Sequence, residues 1–289
     1  MADKIKRRHR GSPGWALLLA WLSTLLLTAL ALLLTLLTTI CSENFMRKQV
    51  ARSHFADYAY SYLYDNFVSY GSSTGFEEDV ITSTISHEQI NADMEQAVTD
   101  LYAGNTAVNA RESVKSEIND VLLADLASRG KDVTEDVSSA VGIVADACRL
   151  DYANYVAIPL ASQLYTVITK IERLLLPGMV GTAVLCAAAL CLMIRLAGGS
   201  QFGVRCLTFT FLASALLCTL GATVLYPLLG LDNFSLEPAS IRALVLTYLQ
   251  NMFGSLGIFA AIYALIALIL LALMFTAHHQ LKRHYKQKP

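Results

Sequence analysis

Two polar side chains, His87 and Asp125, interrupt apolar helical patterns in the middle of this 289-residue chain. His87 lies about 17 residues before the turn at Gly104-Asn105 and Asp125 about 20 residues after it, so antiparallel helices would bring them within about one helical turn of each other. A carboxylate beside a histidine favours the charged imidazolium, and histidine changes charge near neutral pH. The sequence therefore predicts a buried His87–Asp125 pair, which either responds to pH or a ligand or only stabilises the fold. The alternative is a His87 that reaches solvent at the edge of its helix.

A second polar cluster lies on one side of the helix predicted to follow residue 42. Its members are His54, Asp57, Tyr58, Ser61, Tyr64 and Asp65. Exposed tyrosines beside hydrogen-bonding groups are typical of recognition surfaces, because tyrosine offers a large contact area at a low entropic cost. We interpret the cluster as a possible partner or ligand surface, and the alternative is an ordinary solvated helix face. His54 and Asp57 alone are too few ligands for a zinc or iron site, so no metal is expected.

Catalytic motifs do not occur in this sequence. It has no His-Glu-x-x-His, no glycine-rich phosphate loop, no Gly-x-Ser-x-Gly and no Cys-x-x-Cys. No Asp, Glu, Lys or His lies in the middle of an apolar run, where proton-coupled or ion-coupled transporters and intramembrane enzymes usually carry one. We therefore expect no enzyme, no cofactor and no nucleic-acid partner.

Four apolar runs must position these polar residues: 15–40, 174–194, 204–229 and 241–277. The first would make a helix of roughly 39 Å, which exceeds the hydrocarbon core of about 30 Å. A cleaved signal peptide has an apolar region of only about 7–15 residues and a small-x-small exit, so we predict a retained signal anchor. Together with the content of 55% hydrophobic residues, the runs predict an integral membrane protein embedded in the lipid bilayer.

Charge is segregated along the chain. Residues 42–172 hold 20 acidic and 9 basic residues, whereas the flanking segments are basic. The basic residues that matter are Lys4, Lys6, Arg7, Arg8, Arg10, Arg195, Arg205, Lys282, Arg283, Lys286 and Lys288, while the loop after the third run offers Asp232 and Glu237. The positive-inside rule then predicts a multi-pass protein of the cell membrane, with both termini cytoplasmic and residues 42–172 extracytoplasmic.

The acidic segment reads as helices separated by short breaks at 71–75, 104–105 and 130–131. Thr74-x-x-Glu77 and Asp132-x-x-Glu135 have capping-box spacing just after two of these breaks. Four helices of about 24–30 residues would pack as an up-down-up-down bundle. The predicted buried faces are, in chain order, Phe55, Ala59, Tyr62, Leu63 and Tyr70; Phe76, Val80, Ser83, His87, Ile90, Met94, Ala97 and Leu101; Val114, Ile118, Val121 and Leu122; and Val133, Val137, Ala140, Val144, Cys148, Asp151, Tyr155 and Ile158.

The predicted fold is therefore all-α, with four transmembrane helices and an extracytoplasmic four-helix bundle between the first two. In order, we expect a cytoplasmic tail (1–14), a span (15–41), the bundle (42–158), an amphipathic stalk (159–173), spans at about 174–196, 204–230 and 255–277, and a tail (278–289). An outer interfacial helix at 238–253 precedes the last span, unless 238–277 is one tilted helix. Cys41 and Cys148 would stand roughly 15 Å apart, too far for a disulfide.

This order of elements resembles a helical receptor ectodomain flanked by two spans. The resemblance implies a non-enzymatic membrane protein for sensing or partner binding, whose partner is another membrane or extracytoplasmic protein or a second copy of itself. The span order also resembles permeases of the cell-division and macrolide-export branch of ABC transporters, which makes a transport-related subunit the alternative. In this chain the 196–204 loop is short for an ATPase-docking helix, and the outer segment has no strand pattern. A membrane-embedded enzyme is a third class, without candidate residues.

Overall fold

The computed structural model describes residues 13–105, 112–156, 158, 161–197, 200–230 and 236–286. Within these ranges the chain is helical and contains no strand, which confirms the all-α prediction. The helices are α1 Pro13–Thr39, α2 Glu43–Arg52, α3 Phe55–Thr74, α4 Glu78–Thr82, α5 His87–Ala103, α6 Glu112–Ser128, α7 Glu135–Val156, α8 Ala161–Leu196, α9 Ser200–Thr223, α10 Leu225–Leu228 and α11 Ala239–Lys286. The basic residues before residue 11, Asp232 and Lys288 lie outside the described residues.

The chain forms two compact units. The first, the spanning unit, comprises residues up to 39, 171–231 and 250 onward, and the second, the helical domain, comprises 40–170 and 232–249. The boundaries between them fall inside α8 and inside α11. Residues 161–173 of the predicted stalk are thus part of the same helix as the second span, and 239–277 is one helix rather than two.

Four helices are long and apolar enough to cross a membrane, as predicted. They are Gly14–Thr39 in α1, a stretch that ends at Leu196 in α8, Gln201–Thr223 in α9 and Ala239–Thr276 in α11. Many of their large apolar side chains are exposed, among them Trp21, Leu185 and Leu268. Exposed apolar side chains suit a lipid environment, because lipid tails are as apolar as leucine and burying the side chain there gains no hydrophobic free energy.

Hydroxyl groups set the register between α1 and α9. The Thr210 hydroxyl lies 3.4 Å from the carbonyl oxygen of Ala20, and the Ser214 hydroxyl lies 3.3 Å from that of Thr24. Both hydroxyls also donate to carbonyls of their own helix, at 2.9 Å. Because both pairs are 190 residues apart, α1 and α9 run parallel.

The last span packs against both of these helices. Tyr263 of α11 donates a hydrogen bond to the carbonyl oxygen of Leu27 at 2.9 Å, and its ring centre lies 6.0 Å from that of Phe211. Seven residues earlier, Leu256 lies beside Gly221 of α9. Phe211 of α9 thus meets Tyr263 of α11, and the later Gly221 meets the earlier Leu256. The two helices are therefore antiparallel.

Buried apolar side chains hold the helical domain together. The largest fully buried ones include Phe55, Leu63, Phe67, Ile90, Met94, Ile118 and Leu122. Three of the four residues of the predicted α6 face are confirmed as core, namely Val114, Ile118 and Leu122, whereas Val121 is only half-buried and lies outside the core cluster. The first turns of α11 belong to the same core, because Leu244 is buried in it and the Tyr248 ring packs edge-on against Phe45 at 5.3 Å. The segment predicted as an interfacial helix is thus partly domain core.

The prediction of four uninterrupted helices in residues 42–158 is wrong. The first is divided into α2 and α3 at His54, which adopts left-handed backbone angles (φ 54°, ψ 31°). The second is divided into α4 and α5, because Ser86 accepts a hydrogen bond from the backbone N–H of Gln89 at 3.2 Å and so starts a new helix.

The burial predicted for Cys148 and Ile158 is confirmed, but other positions of the buried face of α7 differ from the prediction by one residue. The buried positions are Val141, Ala145, Cys148, Tyr152 and Val156, whereas Val133 and Ala140 are exposed. One residue corresponds to a rotation of about 100° in an α-helix, because each turn takes 3.6 residues. The shift takes Asp151 and Tyr155 out of the centre of the core, so that both are half-buried.

Candidate functional site

Helix α3 has one fully buried face and one exposed face. Phe55, Ala59, Leu63 and Phe67 lie in the core. The opposite side, which we call the α3 outer face, carries exposed His54, Asp57, Tyr58, Ser61, Tyr62 and Asp65. Five of the six residues in the predicted recognition cluster are therefore exposed on one surface, and the sixth, Tyr64, is half-buried at its margin.

Tyr62 was predicted to lie in the core, and this is wrong. It is 42% exposed, and its ring stacks on Tyr155 of α7 with ring centres 3.7 Å apart. Tyr58 and Tyr62 are four residues apart, so both rings stand on the same side of the helix. This spacing was the signal in the sequence that could have assigned Tyr62 to the outer face.

One edge of the α3 outer face contains a carboxylate shared by two histidines. Oδ2 of Asp57 lies 3.1 Å from Nδ1 of His54, and Oδ1 lies 3.1 Å from Nδ1 of His87. The His87 ring also stacks on Tyr60, with ring centres 4.1 Å apart. These contacts join the start of α3 to the start of α5. All three polar side chains are well exposed, so the pairs contribute little to stability.

The predicted buried pair of His87 and Asp125 is replaced by two other pairs. His87 is 53% exposed because it is the first residue of α5, where it meets α3 instead of α6. Asp125 accepts a hydrogen bond from Nε of Arg129, one turn along α6, at 3.0 Å, and its largely buried second oxygen is 2.9 Å from the same nitrogen. A second guanidinium nitrogen of Arg129 lies 3.4 Å from Glu77. The helix break between α4 and α5 is the cause of the difference.

Next along the same edge, the hydroxyl of Tyr64 donates a hydrogen bond to the carboxylate of Glu78 in α4. This bond raises the pKa of Tyr64 to about 12, because the neutral phenol is the form that donates. Glu78 was not among the predicted site residues. Its contact with Tyr64 attaches the short helix α4 to the margin of the α3 outer face.

The other edge is held by Asp151 of α7. One oxygen of its carboxylate accepts hydrogen bonds from the Tyr70 hydroxyl at 2.8 Å and from the Asn66 amide at 3.1 Å. The bond to Asp151 raises the pKa of Tyr70 to about 12, with a further contribution from burial. Burial, and after it the hydrogen bond with Tyr62, raises the pKa of Tyr155 as well. This edge fixes the position of the stacked tyrosine rings.

The α3 outer face offers exposed tyrosine rings, carboxylates and a hydroxyl for contact. The described part of the chain holds no group of three or more His, Cys, Asp or Glu residues placed to bind a metal ion. All six cysteines lie in the described part of the chain, and none forms a disulfide. Burial raises the pKa of the Cys148 thiol in the core to about 12, so it stays protonated at neutral pH and does not act as a nucleophile.

Comparison with known proteins identifies no relative. No family model, no curated protein and no solved structure matches the chain. Its function must therefore be argued from its own geometry.

Proposed function

We propose that this chain is a non-enzymatic, polytopic membrane protein that presents its helical domain outside the membrane and binds a protein partner through the α3 outer face. The partner is another membrane or extracytoplasmic subunit, and the complex serves sensing or assembly. The observation that carries the proposal is the exposure of Tyr58 and Tyr62 on a helix whose opposite face is buried in the core of the domain. Tyrosine is enriched at interfaces because its ring is apolar and its hydroxyl is polar.

The rigidity of the surface supports a binding role. Asp57 and Tyr60 connect α3 to α5, and Asp151 connects it to α7. A surface that is already ordered loses little entropy when a partner binds, so more of the interaction energy appears as affinity. Polar groups at the rim, such as Asp57, Ser61 and Asp65, would give specificity more than affinity.

The proposed location rests on the sequence and on the directions of the helices. Parallel α1 and α9, with α11 antiparallel to them, agree with a chain that crosses the membrane four times in alternating directions. The positive-inside rule then places both termini in the cytoplasm and the acidic helical domain outside. A Ser139→Cys variant should react with a membrane-impermeant maleimide added to intact cells, because Ser139 is exposed in α7. Labelling only after lysis would show that residue 139 lies on the cytoplasmic side and would contradict the proposed orientation.

The connection between α8 and α9 is short for a transport-related subunit, which would need an ATPase-docking helix there. Helix α8 ends at Leu196 and α9 begins at Ser200, so only three residues connect these two helices. In a permease, this connection would have to carry a helix that docks an ATPase. We therefore rank partner binding above a permease role.

Photocrosslinking in native membranes tests the proposed surface. A photoreactive phenylalanine analogue replaces Tyr58 in the tagged full-length chain, and the matched control replaces Leu150 of α7, because each of these residues is 50% exposed. We expect one discrete protein adduct from position 58 and none from position 150. Mass spectrometry of the adduct identifies the partner.

The outcomes are distinguishable. Equal adducts from both positions would mean that the α3 outer face is not selective. No adduct from position 58, with normal expression, would contradict partner binding at this face. A crosslinked or co-purifying ATPase would instead favour the transport-related alternative. Tyr58→Ala combined with Tyr62→Ala should lower recovery of the partner at least tenfold without loss of the folded chain.

A further inference from the structure

The spanning unit contains an apolar cavity of about 350 Å³. Its walls come from α1, α9, α10 and α11, and they include Thr28, Leu32, Cys218, Gly221, Leu225 and Leu256. The volume falls at the small end of the range of about 300–1,000 Å³ found for small-molecule sites. This cavity lies apart from the α3 outer face and plays no part in the function proposed above.

The cavity lies beyond the hydroxyl contacts between α1 and α9. At Thr24 and Ser214 the two helices are near enough for a hydroxyl to reach a carbonyl of the partner helix, at 3.3 Å. One and two turns further along, Cys218 and Gly221 line the cavity instead. The missing side chain at position 221 lets Leu256 approach the wall closely, because a Cβ atom there would lie 3.2 Å from a terminal carbon of Leu256 and 3.7 Å from one of Leu225.

The walls offer an occupant almost nothing except alkyl contact. Seven of the nine lining residues are Leu, Val or Gly, and none is aromatic. The hydroxyl of Thr28 already donates to the carbonyl oxygen of Thr24 at 2.9 Å. The cavity is partly open, since Leu32, Leu220 and Val224 in its walls are 44%, 54% and 45% exposed. The chemistry therefore selects an apolar occupant that needs no hydrogen bond inside the cavity.

We propose that this cavity binds one acyl chain of a membrane phospholipid. The lining residues of α9 and α10, from Leu217 to Leu225, extend for roughly 12 Å along the chain at the helical rise, which suits a chain lying beside the helices. Helices α1, α9 and α11 are each long and apolar enough to lie in the bilayer, where acyl chains are the surrounding solvent. The polar headgroup stays outside the cavity, so the absence of a free hydrogen-bonding group in the wall is no obstacle.

Photocrosslinking with lipid probes tests this proposal on the full-length chain. The protein is reconstituted in vesicles of phosphatidylcholine that contain a phosphatidylcholine with a diazirine in one acyl chain, and the crosslinked peptides are mapped after irradiation. We expect adducts at Leu217–Leu225 and at Leu256 to exceed those at lipid-exposed Leu185 and Leu268 at least fivefold. Equal adducts along all exposed positions would overturn the proposal, because they would show only the general solvent of the bilayer.

Matched leucine substitutions separate filling of the cavity from other effects. Gly221→Leu places a side chain in the cavity, and adducts there should fall at least fivefold. Gly257→Leu is the control, since a Cβ at position 257 meets no atom within 4 Å, and it should leave the adducts unchanged. If Gly221→Leu does not fold, Gly221→Ala should give a smaller decrease in the same direction. Undiminished adducts in a folded position-221 variant, or preferential labelling by a photoreactive free fatty acid, would contradict the phospholipid site.

Discussion

The two units of this protein use apolar side chains in opposite ways. In the helical domain Leu63, Phe67 and Ile118 are fully buried. In the spanning unit Leu185 and Leu268 are exposed, while small and hydroxyl-bearing residues such as Ser214 and Thr210 occupy the contact between α1 and α9. The first pattern suits helices that face water, and the second suits helices that are long and apolar enough to lie in lipid.

The difference shows that hydrophobicity drives packing only where the alternative is water. Burying a leucine in the helical domain removes apolar surface from water, which is worth roughly 1.5–3 kcal/mol for a full side chain. Between spanning helices that gain vanishes, because lipid tails are as apolar as leucine, and close approach and hydroxyl contacts remain. The same residue types therefore predict a core in one unit and a lipid-facing surface in the other.

A paired truncation gives the largest expected contrast between the units. Phe67→Ala in the domain core should destabilise the protein by about 3–5 kcal/mol, which lowers its melting temperature by roughly 6–20 °C. Leu185→Ala in α8, where the side chain is 59% exposed, should change the melting temperature by less than roughly 2 °C. Thermal unfolding of both full-length variants in mild detergent measures the contrast. Similar losses for both would remove the distinction between the two units.

Asp151 tests a polar contact inside the water-facing domain. Asp151→Ala leaves the Tyr70 hydroxyl and the Asn66 amide without their shared acceptor, so stability should fall by about 1–3 kcal/mol. Asp65→Ala removes an exposed carboxylate from the same region and should change stability by less than about 0.5 kcal/mol. Denaturant titration compares the two. An Asp151 variant as stable as the Asp65 variant would show that α3 and α7 do not depend on this contact.

The raised pKa of Tyr70 predicts a loss of stability in alkaline solution. In the folded protein Tyr70 keeps its proton up to a pKa of about 12, whereas an unperturbed tyrosine loses it near pH 10. Between these values the unfolded chain binds fewer protons, so the contribution of Tyr70 is complete below pH 10 and declines as the pH rises toward 12. The difference in denaturant midpoint between pH 8 and pH 11 should be smaller in Tyr70→Phe. An unchanged difference would contradict the hydrogen bond to Asp151.

Removal of a hydroxyl in the spanning unit should destabilise the protein less than removal of the Asp151 carboxylate. Tyr263→Phe removes the hydrogen bond to the carbonyl oxygen of Leu27 and should cost about 0.6 kcal/mol, because contacts between membrane helices are worth that much on average. Thr223→Val is the control, since the Thr223 hydroxyl bonds within its own helix, to Thr219 at 2.8 Å. Unfolding in detergent compares these variants with Asp151→Ala. A cost above that of Asp151→Ala would reverse the expected order of the two units.

Periodicity in the sequence predicted some faces of the helical domain and missed others. The α6 face of Val114, Ile118 and Leu122 follows from helical spacing alone, and the core contains it. The break between α4 and α5 was missed, because serine and threonine bond to the backbone in more than one conformation. Ser83 and Thr84 bond back to carbonyls at 2.7 Å, as within a helix, whereas Ser86 caps the next helix.

The exposure of the predicted cluster followed from the sequence, while its role as a binding surface stays a prediction. Exposed His54, Asp57, Tyr58, Ser61 and Asp65 share one surface, as expected from their spacing on a helix. The partners of that surface, Tyr155 and Glu78, come from other helices, and the sequence offered no means of pairing them. His87 was assigned to the wrong carboxylate for the same reason, because α5 starts at His87, later than predicted, and this brings His87 to Asp57 of α3 instead of to α6.

The sequence by itself determined the helical class and the four candidate spans, because a stretch of about 20 apolar residues is what a bilayer requires and its backbone hydrogen bonds are local. Only the tertiary structure decided which side chains meet. Whether Asp57 faces a histidine, or Tyr62 faces solvent, depends on where each helix starts, and one residue turns a side chain by about 100°. The packing of several helices against one another decides that rotation. A local sequence pattern carries no information about this packing.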